Sequence, residues 1–251
     1  MNLIGSFVIT FSMYSKIPMP QMEWTKERMK YAMCFFPLIG AVIGAVLVCF
    51  GRLAVSLSLS ETARACIGTA LPLLITGGIH MDGFLDVVDA RSSYQSRERK
   101  LEILKDPHTG AFAIIGCGIY LLLYTAFFSM VSEHGLRLFA GTFVLTRALS
   151  GLAVVAFPKA KNTGLAAEFS EKAKRRTVGA VMIVMICLTA GYLFYMGGVI
   201  FGAASAVVTA VVFAGYYQMA VREFGGITGD LAGYFLQICE LALLILTAVL
   251  G

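Results

Sequence analysis

Residues 77–90 of this chain read Gly77-Gly78-Ile79-His80-Met81-Asp82-Gly83-Phe84-Leu85-Asp86-Val87-Val88-Asp89-Ala90. The spacing of Asp82, Asp86 and Asp89, at positions i, i+4 and i+7, places them on one face of a helix. Three like charges on one face repel one another unless a cation or a basic ligand neutralises them. Because Mg²⁺ prefers carboxylate oxygens and usually contacts substrate phosphates as well, the run predicts a magnesium site.

The alternative interpretation is a solvated acidic helix start, where aspartate is favourable in any case. That interpretation accounts for one or two aspartates, but not for the two preceding glycines, a histidine and Gly83. The run directly follows an apolar segment, so its carboxylates lie at a membrane surface or just inside it, where an ionisable cluster indicates a functional site. His80 is a candidate base or ligand, although a lone histidine is more often a structural residue.

Composition indicates an all-α, polytopic membrane helical bundle. The chain has 251 residues, of which 58% are hydrophobic and 14% charged, against roughly 25% charged in soluble domains. We interpret residues 1–251 as a single integral membrane domain without a convincing cleavable signal peptide. The net charge of +5 is spread over several loops, which argues against a nucleic-acid partner. The six cysteines lie in apolar segments without a CxxC spacing, so neither a disulfide framework nor a zinc site is predicted.

The apolar segments predict about seven transmembrane helices. Residues 1–14 are too short to span and are expected to form an interfacial or partly inserted helix. The fifth and sixth spans meet at Met196-Gly197-Gly198, so their boundary can shift by several residues. The predicted spans run from about Ala32 to Val55, Thr62 to Ile79, Gly110 to Val131, Leu136 to Phe157, Thr177 to Met196, Val199 to Val221 and Leu231 to Leu250.

Basic residues are concentrated in alternate loops, as an odd number of spans requires. The loops at 16–30, 91–109, 158–176 and 222–230 hold most of the twenty lysines and arginines, whereas the connections at 56–61 and 132–135 hold none. By the positive-inside rule the basic loops face the cytoplasm. The acidic motif then faces the cytoplasm too, and the C-terminus lies outside.

The segment from Arg91 to Thr109 is the most polar stretch after the acidic motif. Ser96 is expected to cap a short helix that ends before Pro107. This helix is either an amphipathic surface helix whose basic residues meet lipid headgroups, or a phosphate clamp that faces the acidic motif, and the two roles are compatible.

A second motif, Glu223-Phe224-Gly225-Gly226-Ile227-Thr228-Gly229-Asp230, precedes the last span. Its glycines permit a backbone whose N–H groups face a phosphate, although Thr228 or Asp230 could simply be a helix N-cap. Glu240 lies about 15 Å deeper along the same helix. It needs a partner there, and Arg147 in the fourth span is the obvious one; the pair is either structural or functional.

These motifs, taken in order, resemble the cobalamin synthase family of adenosylcobinamide-GDP ribazoletransferases. The acidic run is similar to the signature of that family. The ordered set extends over nearly the whole chain, and its only departures, at Ser15-Lys16 and at 90–93, spare the acidic positions. Further matches are Lys16-Ile17-Pro18-Met19-Pro20, Phe35-Phe36-Pro37-Leu38-Ile39-Gly40, Arg97 to Asp106 with Gly110, and Gly225 to Asp230 with Gly233, Gln237 and Glu240.

The resemblance implies transfer of phosphocobinamide from adenosylcobinamide-GDP to α-ribazole or its 5′-phosphate, with release of GMP. We expect Asp82 and Asp86 to hold Mg²⁺, Asp89 to be a base or a further metal ligand, and Asp230 to complete the metal site or hold the second substrate. His80 is the other catalytic candidate. The predicted substrate-binding residues are Gly78, Gly83, Lys105, Asp106, Arg147, Gly226, Thr228 and Glu240.

The expected setting is the cytoplasmic membrane of a bacterium or archaeon, with the lipid bilayer as a partner. A homo-oligomer, or association with other enzymes of nucleotide-loop assembly, is compatible with this setting, although no residue shows either.

Three other classes of protein fit parts of the pattern. An ion-coupled transporter would also carry intramembrane charges and glycine breaks. Such carriers tend to show repeated halves and midplane charges, whereas this chain shows no visible repeat and its acids cluster at one predicted face. A CDP-alcohol lipid phosphotransferase would carry a longer aspartate motif, and residues 92–99 hold neither glycine nor aspartate. A structural scaffold would not need two glycine-acid motifs on one side.

Overall fold

The computed structural model describes residues 2–160 and 174–251. Within these ranges the chain is helical and has no strand, only an isolated bridge between Lys159 and Ile227, so the predicted all-α class is confirmed. The helices are α1 (Leu3–Tyr14), α2 (Lys26–Met29), α3 (Phe36–Ser56, preceded by a 3-10 turn at Ala32–Phe35), α4 (Glu61–Thr76), α5 (Ile79–Ser92), α6 (Arg97–Ile103), α7 (Ala111–Ser129), α8 (Glu133–Ala156), α9 (Arg175–Met219) and α10 (Gly229–Leu250).

Five helical segments of the described chain are long and apolar enough to cross a membrane. Helices α4 and α5 would make a sixth span if they are counted together, since they follow one another across a bend of 97°. The predicted total of seven is therefore not confirmed. The five segments are Ala32–Ser56, Ala111–Ser129, Glu133–Ala156, Arg175–Phe224 and Gly229–Leu250.

Helix α9 is a pair of helices that fold back at one glycine. Its 45 residues would extend about 68 Å if straight, more than twice the thickness of a bilayer core. Gly198 has φ 74° and ψ 178°, outside the helical region. Met182, before this break, packs on Gly151, and Tyr216, after it, packs on Phe157. Both halves therefore run along α8, and the break lies where the sequence predicted a boundary between spans.

The bundle is built around α8, whose residues are mostly buried. Helix α3 crosses it so closely that Gly40 lies against the backbone of Phe143, and Gly44 against that of Ala140. Small residues allow such close helix packing in membrane proteins. The glycines of α3 thus set the distance between the two helices.

The basic loops meet at one end of the bundle, as predicted. The Lys174 N–H donates to the Lys30 carbonyl (3.1 Å), and the Ile227 N–H donates to the Pro158 carbonyl (2.9 Å). Arg64 lies at the opposite end, where its guanidinium donates to two carbonyls near residue 130. Lys161 and Lys172, which contributed to the basic loop at 158–176, lie outside the described residues.

Replacement of Gly40 by alanine is expected to destabilise the bundle by about 1–3 kcal/mol, because the new methyl group overlaps the Phe143 backbone. Gly118→Ala is the control, since Gly118 is also helical but a methyl group there meets no neighbour. Its effect is expected to be neutral or slightly stabilising. Thermal unfolding of both variants in detergent tests this packing, and equal melting temperatures would contradict it.

Candidate active site

A two-glycine break separates the acidic helix α5 from the apolar helix α4. Gly77 (φ 65°) and Gly78 (φ 75°) are both left-handed, a conformation that favours glycine. The Gly78 N–H closes the end of α4 by donating to the Leu73 carbonyl (2.9 Å), and the Gly78 carbonyl accepts from the Asp82 N–H (2.8 Å) to begin α5. The consecutive glycines therefore turn the chain by 97° within two residues.

The three aspartates of α5 lie on its open face. Asp82 is exposed, while Asp86 and Asp89 are partly buried. The other face carries buried apolar residues, including Phe84 and Val87. Asp230 of the second motif lies beside the open face as well, since the backbone of Gly83 on α5 is in contact with that of Asp230.

Two glycines let α5 and α10 touch backbone to backbone. A Cβ atom on Gly83 would lie 2.7 Å from the Asp230 Cα atom, and one on Gly233 would lie 2.8 Å from the His80 carbonyl oxygen. Both distances are below van der Waals contact, so neither position accommodates a side chain without a shift of the backbone. This crossing holds Asp230 beside the acidic face, as the sequence interpretation of the two motifs requires.

The second motif forms a loop between a π-helical turn at Ala220–Phe224 and the start of α10. Gly226 (φ 149°) packs directly on the Lys159 backbone. Thr228 is the N-cap of α10: its hydroxyl accepts from the Leu231 N–H (3.2 Å) and donates to the Asp230 carboxylate (3.3 Å). The capping role considered for Thr228 is therefore present, and the same hydroxyl also orients Asp230.

Glu223 joins the loop to the basic segment, a contact that the sequence interpretation missed. Its carboxylate pairs with Arg91 (3.1 Å) and Lys100 (2.7 Å), and Arg91 also donates to the Tyr234 hydroxyl (3.2 Å). Arg97 donates to the Arg222 carbonyl (3.3 Å). These pairs join charged segments that are far apart in the sequence. The spacing of residues along the chain therefore does not predict them.

The predicted phosphate-binding residues at the end of α6 are exposed. Ser96 caps this helix as predicted, by accepting from the Arg99 N–H (3.4 Å). Asp106 accepts from the backbone N–H of His108 (2.9 Å) and contacts its ring (2.7 Å); these bonds, the backbone one first, lower the pKa of Asp106 below its usual value. Lys105 forms no ion pair within the described part of the chain.

The side chain of Asp89, on α5, contacts the start of α7. Its carboxylate oxygens lie directly over the Cα atom of Gly110, so that any side chain at that position would overlap them. Gly110 is the N-cap of α7, where a negative charge is favourable. The glycine is part of the motif set that the sequence comparison identified, but its contact with Asp89 could not be foreseen.

Arg147 and Glu240 form the buried ion pair that the sequence predicted. Their side chains are 1% and 2% exposed, and Arg147 also donates to the Thr146 hydroxyl (3.2 Å). His80 is buried too, and its ring packs against the adjoining rings of Tyr14 and Phe36. The structure thus places these three residues inside the bundle, apart from the open acidic face, and their proposed roles with substrate stay predictions.

Within residues 2–160 and 174–251, no group of three or more His, Cys, Asp or Glu side chains is arranged to hold a metal ion by itself. Mg²⁺, however, is usually held by one or two carboxylates together with water and substrate phosphates. Asp82 and Asp86, one helical turn apart, offer two carboxylates, and this donor set fits a Mg²⁺ whose other ligands are water and substrate phosphates.

A sequence model described as cobalamin-5-phosphate synthase matches residues 6–248. The chain belongs to this family. A protein of Lachnoclostridium phytofermentans named adenosylcobinamide-GDP ribazoletransferase is 48% identical over 242 residues, covering 96% of this chain and 92% of its own. Proteins of the same name from Clostridium botulinum (30% identical; 96% and 95% covered) and Treponema denticola (31%; 95% and 95%) are also similar. No solved structure matches.

The match to the cobalamin-5-phosphate synthase family includes both glycine-acid motifs, at residues 77–90 and 223–230. The fold brings these two motifs together. The resemblance inferred from the ordered motifs is confirmed. The structure adds the contact between them, at Gly83 and Asp230.

Gly83→Ala is expected to push α10 away from α5 and to lower stability by about 1–3 kcal/mol, because the methyl group meets the Asp230 backbone. The matched control is Gly179→Ala in α9, where a methyl group has no neighbour. Melting temperatures of the purified variants provide the test. A Gly83→Ala protein as stable as the control would show that the crossing tolerates side chains.

Arg147→Met is expected to cost about 3–5 kcal/mol, since it leaves the Glu240 carboxylate buried without its partner. The double variant Arg147→Met/Glu240→Leu removes both charges and should recover most of the loss. Unfolding of both proteins measures this coupling. If the double variant is no more stable than Arg147→Met, the pair does more than neutralise charge.

Proposed function

We propose that this chain is an adenosylcobinamide-GDP ribazoletransferase, which makes adenosylcobalamin or its 5′-phosphate in the late step of nucleotide-loop assembly. The relatives that share nearly their whole length with it carry that name. The observation that carries the proposal is the glycine crossing of α5 and α10, which brings Asp230 to the open face that bears Asp82 and Asp86. A clustered set of carboxylates beside an open surface suits a diphosphate substrate with its metal.

The reaction is the attack of an alcohol on a phosphoric anhydride. A ribose hydroxyl oxygen of α-ribazole, or of its 5′-phosphate, forms a bond to the phosphorus that carries cobinamide. The bond from that phosphorus to the bridging oxygen breaks, and GMP leaves with that oxygen. The hydroxyl proton passes to a base, so atoms and charge balance. Such phosphoryl transfers depend mainly on positioning and on electrostatic stabilisation.

Asp82 and Asp86 are the residues that we propose to hold Mg²⁺ against the diphosphate, with Asp230 completing the site or orienting the second substrate. Bound Mg²⁺ would offset negative charge on the phosphates. Asp89 is the proposed base. Its carboxylate lies beside Gly110, the N-cap of α7.

The end of the bundle that holds both motifs is proposed to face the cytoplasm of a bacterial or archaeal cell. Lys30, Lys174 and the loop at 222–230 meet at this end, and such clustering of basic loops is typical of the cytoplasmic side. The nucleotide-activated substrate would then reach the site without crossing the membrane.

Asp82→Asn should lower magnesium-dependent release of GMP from adenosylcobinamide-GDP and α-ribazole by at least about 100-fold, because one ligand of the cation is lost. The measurement is GMP production by purified protein in nanodiscs, with and without Mg²⁺. Glu133→Gln, at the opposite end of α8, is the control and should retain turnover. Full activity of Asp82→Asn would move the metal elsewhere, and no turnover by folded wild-type protein would overturn the proposed function.

Asp89→Asn should lower kcat by about 100-fold or more, the usual contribution of a general base, while the Mg²⁺ concentration for half-maximal rate changes little. Titration of Mg²⁺ during turnover separates the two roles left open for this residue. A large rise in the Mg²⁺ requirement would make Asp89 a metal ligand. Full activity with an unchanged requirement would remove it from both roles.

A further inference from the structure

Lys16 is fixed at the break between α4 and α5, although it lies far from the acidic motif in sequence. Its backbone N–H donates to the Ile75 carbonyl (2.7 Å). The stem of its side chain lies across the Cα atom of Gly77, in space that any side chain at position 77 would need. The absence of a side chain at Gly77 thus allows a lysine to reach the start of the acidic helix.

The Lys16 side chain lines a cavity of about 530 Å³ that also contains Asp82. Gly77 and Gly78 form part of its wall. Lys16 is exposed, and within the described ranges it forms no ion pair with a carboxylate. One cavity therefore offers a carboxylate suited to a cation and an ammonium group that no carboxylate of residues 2–160 and 174–251 pairs with.

A second cavity, of about 490 Å³, lies on the other side of Lys16. The two cavities share Ser12, Ser15 and Lys16, so they meet at this lysine. The second cavity also includes Gln21 and Trp24, an amide that can bond to a base edge and an exposed ring on which a base can stack. Its volume lies within the range of small-molecule pockets.

We propose that Lys16 binds a phosphate oxygen on the GMP side of the substrate's diphosphate, and that the guanosine lies in the cavity beside Trp24. This inference rests on the proposed function, since it assigns the GMP half of adenosylcobinamide-GDP to the cavity beside Trp24. A lysine ammonium is a compact charge with three donors, suited to a phosphate. Lys16 would stabilise charge on the departing GMP, and Asp82 would help to hold a cation that offsets charge on the same diphosphate.

The test uses the fluorescence of Trp24, the single tryptophan of the chain. Purified wild-type protein in nanodiscs is titrated with GDP in the presence of Mg²⁺, and then with α-ribazole. GDP should change the Trp24 signal in a saturable way. Lys16→Met should weaken GDP binding and raise KM for adenosylcobinamide-GDP, each by about 10-fold or more, and Lys16→Arg should restore much of both. Lys26→Met, which replaces an exposed lysine at the start of α2, is the matched control and should behave as wild type.

The outcomes separate this inference from the proposed function. If wild-type protein releases GMP but Lys16→Met binds GDP and turns over like wild type, the role of Lys16 is wrong and the function stands. If α-ribazole, and not GDP, changes the Trp24 signal, the guanosine position is wrong. If wild-type protein neither releases GMP nor binds GDP, the proposed function fails and this inference fails with it.

Discussion

The close contact between α5 and α10 is the constraint on which the candidate site depends. At Gly83 and Gly233 the two backbones approach within distances that a methyl group would violate. Glycine normally weakens a helix by exposing and loosening its backbone. At these two positions it lowers helix stability but allows the backbones of α5 and α10 to touch. The gain is that carboxylates from sequence positions more than 140 residues apart share one face. The site is therefore a property of helix packing rather than of either motif alone.

Charges in this protein are handled in two different ways. Arg147 and Glu240 are buried and paired, as the low dielectric of the interior requires. The aspartates of α5 form no ion pair within the described part of the chain. Arg91 and Lys100 pair with Glu223 instead. The protein thus pairs the buried charges of Arg147 and Glu240 with each other and leaves the acidic face open to a ligand of opposite charge.

Local features of the fold followed from the sequence, whereas distant contacts did not. The ends of α3, α4, α7, α8 and α10 lie within a few residues of those predicted, because long apolar runs and caps such as Thr228 act over neighbouring residues. The Gly77-Gly78 turn was visible as a motif. The pairing of Glu223 with Lys100 and the contact of Asp89 with Gly110 depend on how helices pack, which no single-segment pattern encodes.

The order in which the chain is synthesised gives the α5–α10 crossing a further consequence. The acidic helix α5 ends at Ser92 and leaves the ribosome well before its partner α10, which begins at Gly229. Until that last helix has been made and inserted, Gly83 faces an unfilled groove and Asp230 is missing from the cluster. A nascent chain that still lacks α10 therefore has no assembled site.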